Sequence, residues 1–297
     1  MKSIVSYPER GEDGKNSYRG NCSGKLIEDI IAQYRLQGLS DFMVGSGTTE
    51  DVVNRLGLRG SFADLNRGYD MMTMDIPERA ENVFWHPPYH DMIRYSAEQY
   101  SDKEVIEKYG FDPKVNDLSR CQSWEDFVQK MNYCMIKQFA ALEKGGRMFV
   151  LMGDMKRKGR LYSMLADIVK PGQLEQIIIK AQHNCWSDRQ TYSNNNFVAI
   201  AHEYLMVVKK ENGLIVPVSY SVKRTLDIRD SKTASWRDVM FAILEEAGGE
   251  MTLEELYAKM EGKKKTEDNV NWKAKIRQTM QNEKYFRRVR IGCYILS

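Results

Sequence analysis

The stretch from Val83 to Tyr89, Val-Phe-Trp-His-Pro-Pro-Tyr, brings together residue types that could do chemistry on a planar ligand. Its apolar first half predicts a buried strand, and Pro87 and Pro88 end that strand because proline cannot donate to a β-ladder. The imidazole of His86 and the carbonyl of Pro87 can each accept a hydrogen bond, and Tyr89 offers a flat ring for stacking. We therefore expect a rigid loop that presents two acceptors and an aromatic face.

A second unusual stretch lies upstream, from Asp41 to Thr49, where an apolar run turns into Gly-Ser-Gly-Thr-Thr. We predict a strand at Asp41 to Val44, a helix from Asp51 to Leu58 and a second strand from Gly60 that ends on the acid Asp64. A glycine turn between strand and helix admits a ligand close to the backbone, and an acid after the next strand can bind a ribose diol. The pattern predicts a nucleoside site, although a plain tight turn with Asp64 as a helix cap would produce the same pattern.

The glycine turn also limits the class of ligand. It lacks the third glycine of the dinucleotide fingerprint and the lysine of a phosphate-binding P-loop, which disfavours a nucleoside triphosphate. Because the glycine loop and the proline loop each follow a predicted strand, we expect both to border one cleft.

The remaining elements of the first 212 residues alternate between helix and strand. Leu26 to Tyr34 has helical spacing with Ser23 as a candidate N-cap, and a long amphipathic helix is predicted from Gln122 to Lys144. Further strands are predicted at Arg147 to Met152, Gln176 to Lys180 and Glu203 to Lys209. The alternation predicts an α/β fold in residues 1–212, with a mostly parallel sheet covered by helices on both faces.

The pattern changes after residue 212. Residues 213–232 are largely polar and predict a linker, and residues 233–297 predict a small second domain. Three short helices are expected in that domain, followed by a β-hairpin, at Trp236 to Glu246, Thr252 to Met260, Asn271 to Gln281, Phe286 to Arg290 and Gly292 to Leu296. Ser235 and Thr252 are candidate helix caps. Three helices and a two-stranded wing predict a winged helix-turn-helix.

Composition narrows the class of protein further. The chain has 297 residues and a net charge of +3, which is too small to indicate a polyanion partner by itself. Its cysteines are far apart without paired spacing, so we expect neither a zinc site nor a disulfide framework, and a cytoplasmic location. No apolar run approaches the roughly 18 residues that span a bilayer, and the N-terminal residues lack an apolar signal core, so no export and no membrane are expected.

Taken together, Phe42-x-x-Gly45-Ser46-Gly47-Thr48-Thr49 and His86-Pro87-Pro88-Tyr89 resemble the motifs of the S-adenosylmethionine-dependent amino-methyltransferases of DNA. In that family the first loop binds the cofactor, and an (Asp/Asn/Ser)-Pro-Pro-Tyr loop holds the target base. The similarity covers roughly residues 17 to 210. The resemblance implies a Rossmann-like methyltransferase sheet, S-adenosylmethionine as cofactor and double-stranded DNA as partner.

The resemblance also implies roles for individual residues. The cofactor-binding set that it implies is Asn21, Cys22, Ser23, Asp41, Phe42, Gly45, Gly47, Thr48, Asp64, Leu65 and Asn66. Within this set the glycines would give the ligand access to the backbone, Thr48 would cap the following helix and Asp64 would hold the ribose hydroxyls. The catalytic set that it implies is His86, Pro87, Pro88 and Tyr89. No metal is expected.

The implied reaction is methyl transfer to an exocyclic amine, with adenine N6 preferred over cytosine N4. Such an amine is a poor nucleophile because its lone pair is delocalised into the ring. Acceptors at His86 and at the Pro87 carbonyl would localise the pair and aim it at the methyl group. The base would be flipped out of the duplex and stacked on Tyr89. Since a protonated imidazole cannot accept a hydrogen bond, we expect activity to fall at acid pH.

His86 departs from the family, which has Asp, Asn or Ser at this position. A neutral imidazole can still accept one hydrogen bond. The departure leaves open a slower enzyme, methylation of RNA or of a protein side-chain amide, and a DNA-binding protein that keeps the cofactor fold without turnover.

Basic residues suggest where DNA would bind. The candidates are Lys156, Arg157 and Lys158 after a strand, Lys273 and Arg277 on the third helix of the second domain, and Arg287 and Arg288 on its wing. A polar loop at Asn194 to Asn196 could add groove contacts or be a plain turn. A basic run is equally compatible with a solvated loop, and a winged helix with protein docking. The recognition sequence and the oligomeric state are not predicted.

Overall fold

The computed structural model describes residues 1–183 and 198–297. These fall into two compact units, Met1–Ser221 and Val222–Ser297. The boundary between the units lies inside the predicted linker, residues 213–232. The predicted polar loop at Asn194 to Asn196 lies outside the described residues.

The first unit alternates strands and helices. Its strands are β1 (Ile4–Ser6), β2 (Val83–Trp85), β3 (Arg147–Met152), β4 (Asp154–Arg157), β5 (Arg160–Ser163), β6 (Lys170–Pro171), β7 (Gln173–Ala181), β8 (His202–Lys209) and β9 (Val218–Ser219). Its α-helices are α1 (Gly24–Tyr34), α2 (Thr48–Arg55), α3 (Asp102–Tyr109), α4 (Trp124–Ala141) and α5 (Met164–Asp167).

Five of these strands form the central sheet, in the order β1-β7-β8-β3-β2. β2 runs parallel to β3 and β1 parallel to β7, whereas β8 runs antiparallel to both of its neighbours. Beyond β2, parallel bridges join Ser40 to Val83 and Asp41 to Phe62. The predicted Rossmann-like α/β fold with a mostly parallel sheet is confirmed, and β8 is the antiparallel strand of that sheet. The strands expected at Asp41 and Phe62 pair over only a few residues.

Helices cover both faces of the sheet, as predicted. Because successive side chains of a strand point to opposite faces, β3 divides Phe149 from Val150. Phe149 belongs to the core layer that contains Ile27 of α1 and Val52 of α2. Val150 belongs to the other layer, which contains Phe127 of α4.

One predicted helix cap is wrong, and another is correct only in its position. Ser23 is the N-cap residue of α1, as predicted, but its hydroxyl donates to the carbonyl of Arg10 at 2.8 Å and makes no capping hydrogen bond. α2 begins at Thr48 itself, so the N-cap position falls on Gly47, which has φ +92°. Only glycine adopts that conformation without strain, and this explains why the turn needs a glycine there.

The second unit contains the predicted helices and hairpin. Its elements are α6 (Trp236–Ala247), β10 (Met251–Thr252), α7 (Leu253–Met260), α8 (Lys264–Glu267), α9 (Trp272–Met280), β11 (Phe286–Arg290) and β12 (Cys293–Leu296). The three strands form a sheet in the order β10-β12-β11. The side chains of Ser235 and Thr252 accept from the backbone of α6 and α7, as predicted for N-caps. Trp236 and Trp272 pack against a core of buried residues such as Met240.

Within residues 1–183 and 198–297, no helix combines the length and the apolar character needed to cross a bilayer.

Candidate active site

The glycine loop and the proline loop border one cleft, as the sequence predicted. Ten of the predicted site residues line it, namely Asn21, Cys22, Asp41, Phe42, Gly45, Thr48, Asp64, Leu65, His86 and Pro88. The others, Ser23, Gly47, Asn66, Pro87 and Tyr89, are not in its lining.

Asp64 fixes the glycine loop. Its carboxylate accepts the backbone N–H of Gly45 at 2.8 Å and that of Asn66 at 3.0 Å. Asp64 is also the N-cap of a short 3-10 turn at Leu65–Arg67, so the cap role and a ligand role are compatible in one residue. Burial raises the pKa of Asp64, against the lowering effect of its two backbone hydrogen bonds.

Asp41 stands on the neighbouring strand segment and is 3% exposed. Its carboxylate accepts from the hydroxyl of Thr49 at 2.7 Å and from the backbone N–H of Met43 at 3.0 Å. Burial raises the pKa of Asp41 to about 7, although both hydrogen bonds act in the opposite direction. A nearby cation would therefore favour the ionised form of this group.

The charged side chains that line the cleft are all acidic among the described residues. The described lining residues include the four acids Asp41, Asp64, Asp70 and Asp117 and contain neither lysine nor arginine. Such a cleft repels phosphates and suits a ligand that carries hydrogen-bond donors and positive charge. This agrees with the prediction that a nucleoside triphosphate is disfavoured.

The proline loop joins a buried polar chain that the sequence analysis did not find. Nε2 of His86 lies 3.0 Å from the hydroxyl of Tyr89, which donates to Oε1 of Glu203 at 2.6 Å. Oε2 of Glu203 accepts from Nζ of Lys180 at 2.7 Å. Lys180 and Glu203 lie directly opposite one another on β7 and β8. The sequence contains one signal that could have indicated this pair, because Lys180 and Glu203 are oppositely charged residues at the ends of two predicted apolar strands.

The environment of His86 favours the neutral imidazole. Burial lowers the pKa of His86 to about 4, against the raising effect of Glu203. Burial alone would raise the pKa of Glu203, but Lys180, His86 and the hydrogen bonds from Lys180 and Tyr89 hold it below its usual value. The chain therefore pairs an ionised carboxylate with a neutral histidine.

Three tyrosines form much of the remaining cleft wall. Tyr18 from the N-terminal segment and Tyr95 stack with their ring centroids 5.6 Å apart. Tyr100 also lines the cleft. Neither Tyr18 nor Tyr100 belongs to a recognisable motif, so neither was predicted from the sequence as a site residue. Tyr95 and Tyr100 follow the proline loop in the segment that also contains α3, so this segment contributes to the cleft.

The basic run after β3 forms a β-hairpin of β4 and β5. Arg157 donates to Oδ2 of Asp91 at 2.7 Å, and Nζ of Lys156 donates to the carbonyl of Val198 at 2.6 Å. Lys158 is exposed at the turn, with φ +47°. Asp91 is thus an ion-pair partner of Arg157, and its Oδ1 also accepts from Nδ1–H of His90 at 2.8 Å.

The predicted basic residues of the second unit are all exposed. Lys273 and Arg277 lie on α9, where Arg277 donates to the hydroxyl of Tyr257 at 3.1 Å. Arg287 and Arg288 lie on β11.

Among the described residues, no cluster of His, Cys, Asp and Glu side chains could hold a metal ion. Cys22 is 6% exposed at the cleft wall, and burial raises the pKa of its thiol to about 12. A thiol in that state is a poor nucleophile. The chemistry of the cleft therefore rests on its acids, its tyrosines and His86.

No protein-family model and no curated protein matches this chain. Solved structures that resemble it include a protein proposed to be a DNA modification methylase from Thermus thermophilus, with 16% identity, 61% of this chain and 56% of that chain covered, and a TM-score of 0.28. TrmN from Thermus thermophilus has 12% identity, coverages of 65% and 50%, and a TM-score of 0.28. An S-adenosylmethionine-dependent methyltransferase from Clostridium acetobutylicum has 10% identity, coverages of 64% and 91%, and a TM-score of 0.27. This chain spans about half the length of the first two, and similarity at this level assigns it no activity.

Proposed function

We propose that this protein is an S-adenosylmethionine-dependent methyltransferase that acts on an exocyclic amine of a DNA base, with adenine N6 preferred over cytosine N4. One observation carries the proposal. The glycine loop with its acids and the proline loop with His86 and Pro88 border the same cleft. A nucleoside cofactor and a planar amine could therefore meet in one site.

The residues of the cleft fit S-adenosylmethionine. Asp64 keeps free lone pairs beyond its two backbone hydrogen bonds, and these could accept the ribose hydroxyls. Asp41 and Asp64 would stabilise a ligand that carries positive charge, and the absence of lysine and arginine from the described lining fits the lack of phosphate. Leu65 offers apolar surface for the adenine ring.

The sulfonium of the cofactor supplies an electrophilic methyl group, and sulfur retains the electron pair of the broken S–C bond. The protein would position the attacking amine. His86, which lines the cleft, would accept one amine N–H and aim the lone pair of the nitrogen at the methyl carbon. Once the new N–C bond forms, the nitrogen would lose a proton to solvent. The neutral state of His86 makes it an acceptor at physiological pH.

The second unit would supply DNA affinity. The order α6, β10, α7, α8 and α9 followed by the β11–β12 hairpin supports our proposal of a winged helix, in which α9 would enter the major groove. Lys273 and Arg277 would then face the groove, and Arg287 and Arg288 the phosphates. Lys156, Arg157 and Lys158 on the β4–β5 hairpin are the candidate contacts of the first unit.

Transfer of labelled methyl from S-adenosylmethionine to unmethylated double-stranded DNA, followed by nucleoside mass spectrometry, tests the proposal. We expect N6-methyladenine from the wild type and from His183→Ala, a matched exposed histidine. In His86→Ala we expect the rate to fall by about 100-fold or more. Incorporation into RNA or protein but not DNA would move the proposal to those substrates, and cofactor binding without any incorporation would favour a DNA-binding protein.

A further inference from the structure

We propose that the buried Lys180–Glu203 pair is a positioning device that, through Tyr89, fixes the proton of His86 on Nε2 and leaves Nδ1 as the acceptor for the substrate amine. The tautomer assignment stands on the geometry alone. The role of Nδ1 rests on the function proposed above.

The direction of each hydrogen bond follows from the groups involved. Lys180 is a donor only, and it occupies Oε2 of Glu203. An ionised carboxylate is an acceptor only, so the hydroxyl of Tyr89 donates its single proton to Oε1. The oxygen of Tyr89 can then only accept from Nε2 of His86, at 3.0 Å. The negative charge of Glu203, acting through the hydroxyl of Tyr89, thus keeps the proton of His86 on Nε2.

The sheet builds this chain from distant parts of the sequence. Lys180 and Glu203 are opposite each other on β7 and β8, one alternation beyond the buried pair Ile178 and Leu205 on the same face. Tyr89 and Glu203 are 114 residues apart in the sequence. The side chains of Lys180 and Glu203 are only 12% and 8% exposed. A buried ion pair adds little net stability compared with apolar residues. The role of the Lys180–Glu203 pair is therefore better explained by its orientation of Tyr89.

Nδ1 is the nitrogen that this arrangement leaves available. Nδ1 has no hydrogen-bond partner among the described residues. It is also not among the unpartnered side-chain atoms that are fully buried, so a ligand can reach it. His86 itself lines the cleft. A neutral imidazole with its proton on Nε2 offers a lone pair on Nδ1, which matches the amine N–H of a base.

Nitrogen-15 NMR of the imidazole groups tests the tautomer without any substrate. Long-range proton–nitrogen spectra distinguish a protonated from an unprotonated ring nitrogen, and the His86→Ala spectrum assigns the signal. We expect Nε2–H and a bare Nδ1 in the wild type. A wild-type spectrum with the proton on Nδ1 would overturn the proposal, whatever the activity of the protein.

Glu203→Gln should reverse the tautomer. Lys180 still needs an acceptor, so the introduced amide oxygen should turn to Lys180 and the amide N–H to Tyr89. Tyr89 would then donate to Nε2 of His86, and the imidazole proton would move to Nδ1. An unchanged tautomer in a folded Glu203→Gln protein would contradict the relay.

The double variant Lys180→Met/Glu203→Met covers the case in which the single variant does not fold, because it removes both charges together and keeps the site packed. With no carboxylate, the hydroxyl of Tyr89 has only Nε2 to donate to, so Nδ1–H is again expected. Both variants should lower kcat by about 10- to 100-fold and leave the KM for S-adenosylmethionine unchanged. A fall in cofactor affinity in place of kcat would indicate a merely structural pair.

Discussion

The carboxylate of Asp64 accepts the backbone N–H of Gly45 at 2.8 Å. Asp64 follows the strand segment at Phe62, and it thereby fixes the glycine loop that follows the neighbouring segment at Asp41. A ligand that binds Asp64 would therefore meet a glycine loop already set in place. This preorganisation reduces the entropy that the loop would otherwise lose on binding.

Asp64→Asn should weaken S-adenosylmethionine binding. Hydrogen bonds to a charged group contribute about 1.5–3 kcal/mol, so we expect affinity to fall by about 10- to 100-fold. Calorimetric titration measures the change. Asp112→Asn is the matched control, because Asp112 caps the turn at Lys114 in the same way and lies outside the cleft lining. Equal losses in both variants would assign Asp64 to folding alone.

Cofactor binding should release protons near pH 7. The pKa of Asp41 is raised to about 7 by burial, and a cation beside it would lower that pKa. Calorimetry in two buffers of different ionisation enthalpy counts the protons, and we expect a fraction of one proton released per cofactor. Asp41→Asn should abolish the release. An unchanged proton count in that variant would show that another group is responsible.

His86 should remain uncharged over the physiological range. Its pKa is lowered to about 4, so the acid loss of activity expected from the sequence should appear only near that pH. The folded protein takes up this proton later than the unfolded chain, so stability should also decline as pH falls below about 6.5. An NMR titration follows the ring signals of His86 directly. An inflection near pH 6 that is absent from His86→Ala would show that its site is more polar than the structure indicates.

Gly153→Ala should disturb the proline loop. A Cβ at Gly153 would stand 2.6 Å from the ring of Tyr89, a contact that real side chains do not make. Overpacking of this kind costs about 1–3 kcal/mol, and displacement of Tyr89 should lower the methylation rate as well. Gly213→Ala is the matched control because no atom lies within 4 Å of its Cβ position. Thermal unfolding and the methylation assay together test the contact, and normal values for both would exclude it.

DNA affinity should depend on the exposed arginines of β11. Each phosphate contact that is lost should reduce the slope of log affinity against log salt by about 0.9. We expect Arg287→Gln and Arg288→Gln to lower both affinity and slope, measured by fluorescence anisotropy on a DNA duplex. Lys103→Gln removes an exposed charge from α3 and should change neither. Equal effects in all three variants would point to net charge in place of a defined surface.

The sequence predicted the local elements well because their signals are local. Val83–Trp85 and Arg147–Met152 were predicted with the bounds that the structure has, since apolar runs between turn residues leave few alternatives. The role of Ser23 was missed because its hydroxyl prefers carbonyls of the preceding loop. Glu203 and Lys180 were missed for a different reason. Their partner in the proline loop comes close only once the sheet order is known, and no local pattern encodes that order.

The register of β8 decides which side chain stands beside Tyr89. Leu205 and Val207 bury their side chains on the same face as Glu203, whereas Tyr204 and Met206 point to the opposite one. A slip of one residue would turn Glu203 away from Tyr89 and would move Leu205 and Val207 from the core layer beside α1 to the opposite face of the sheet. The register of this strand therefore determines both the packing of the core and the position of Glu203. A chain that paired β8 in the wrong register would lose its core packing together with the contact that fixes the proton of His86.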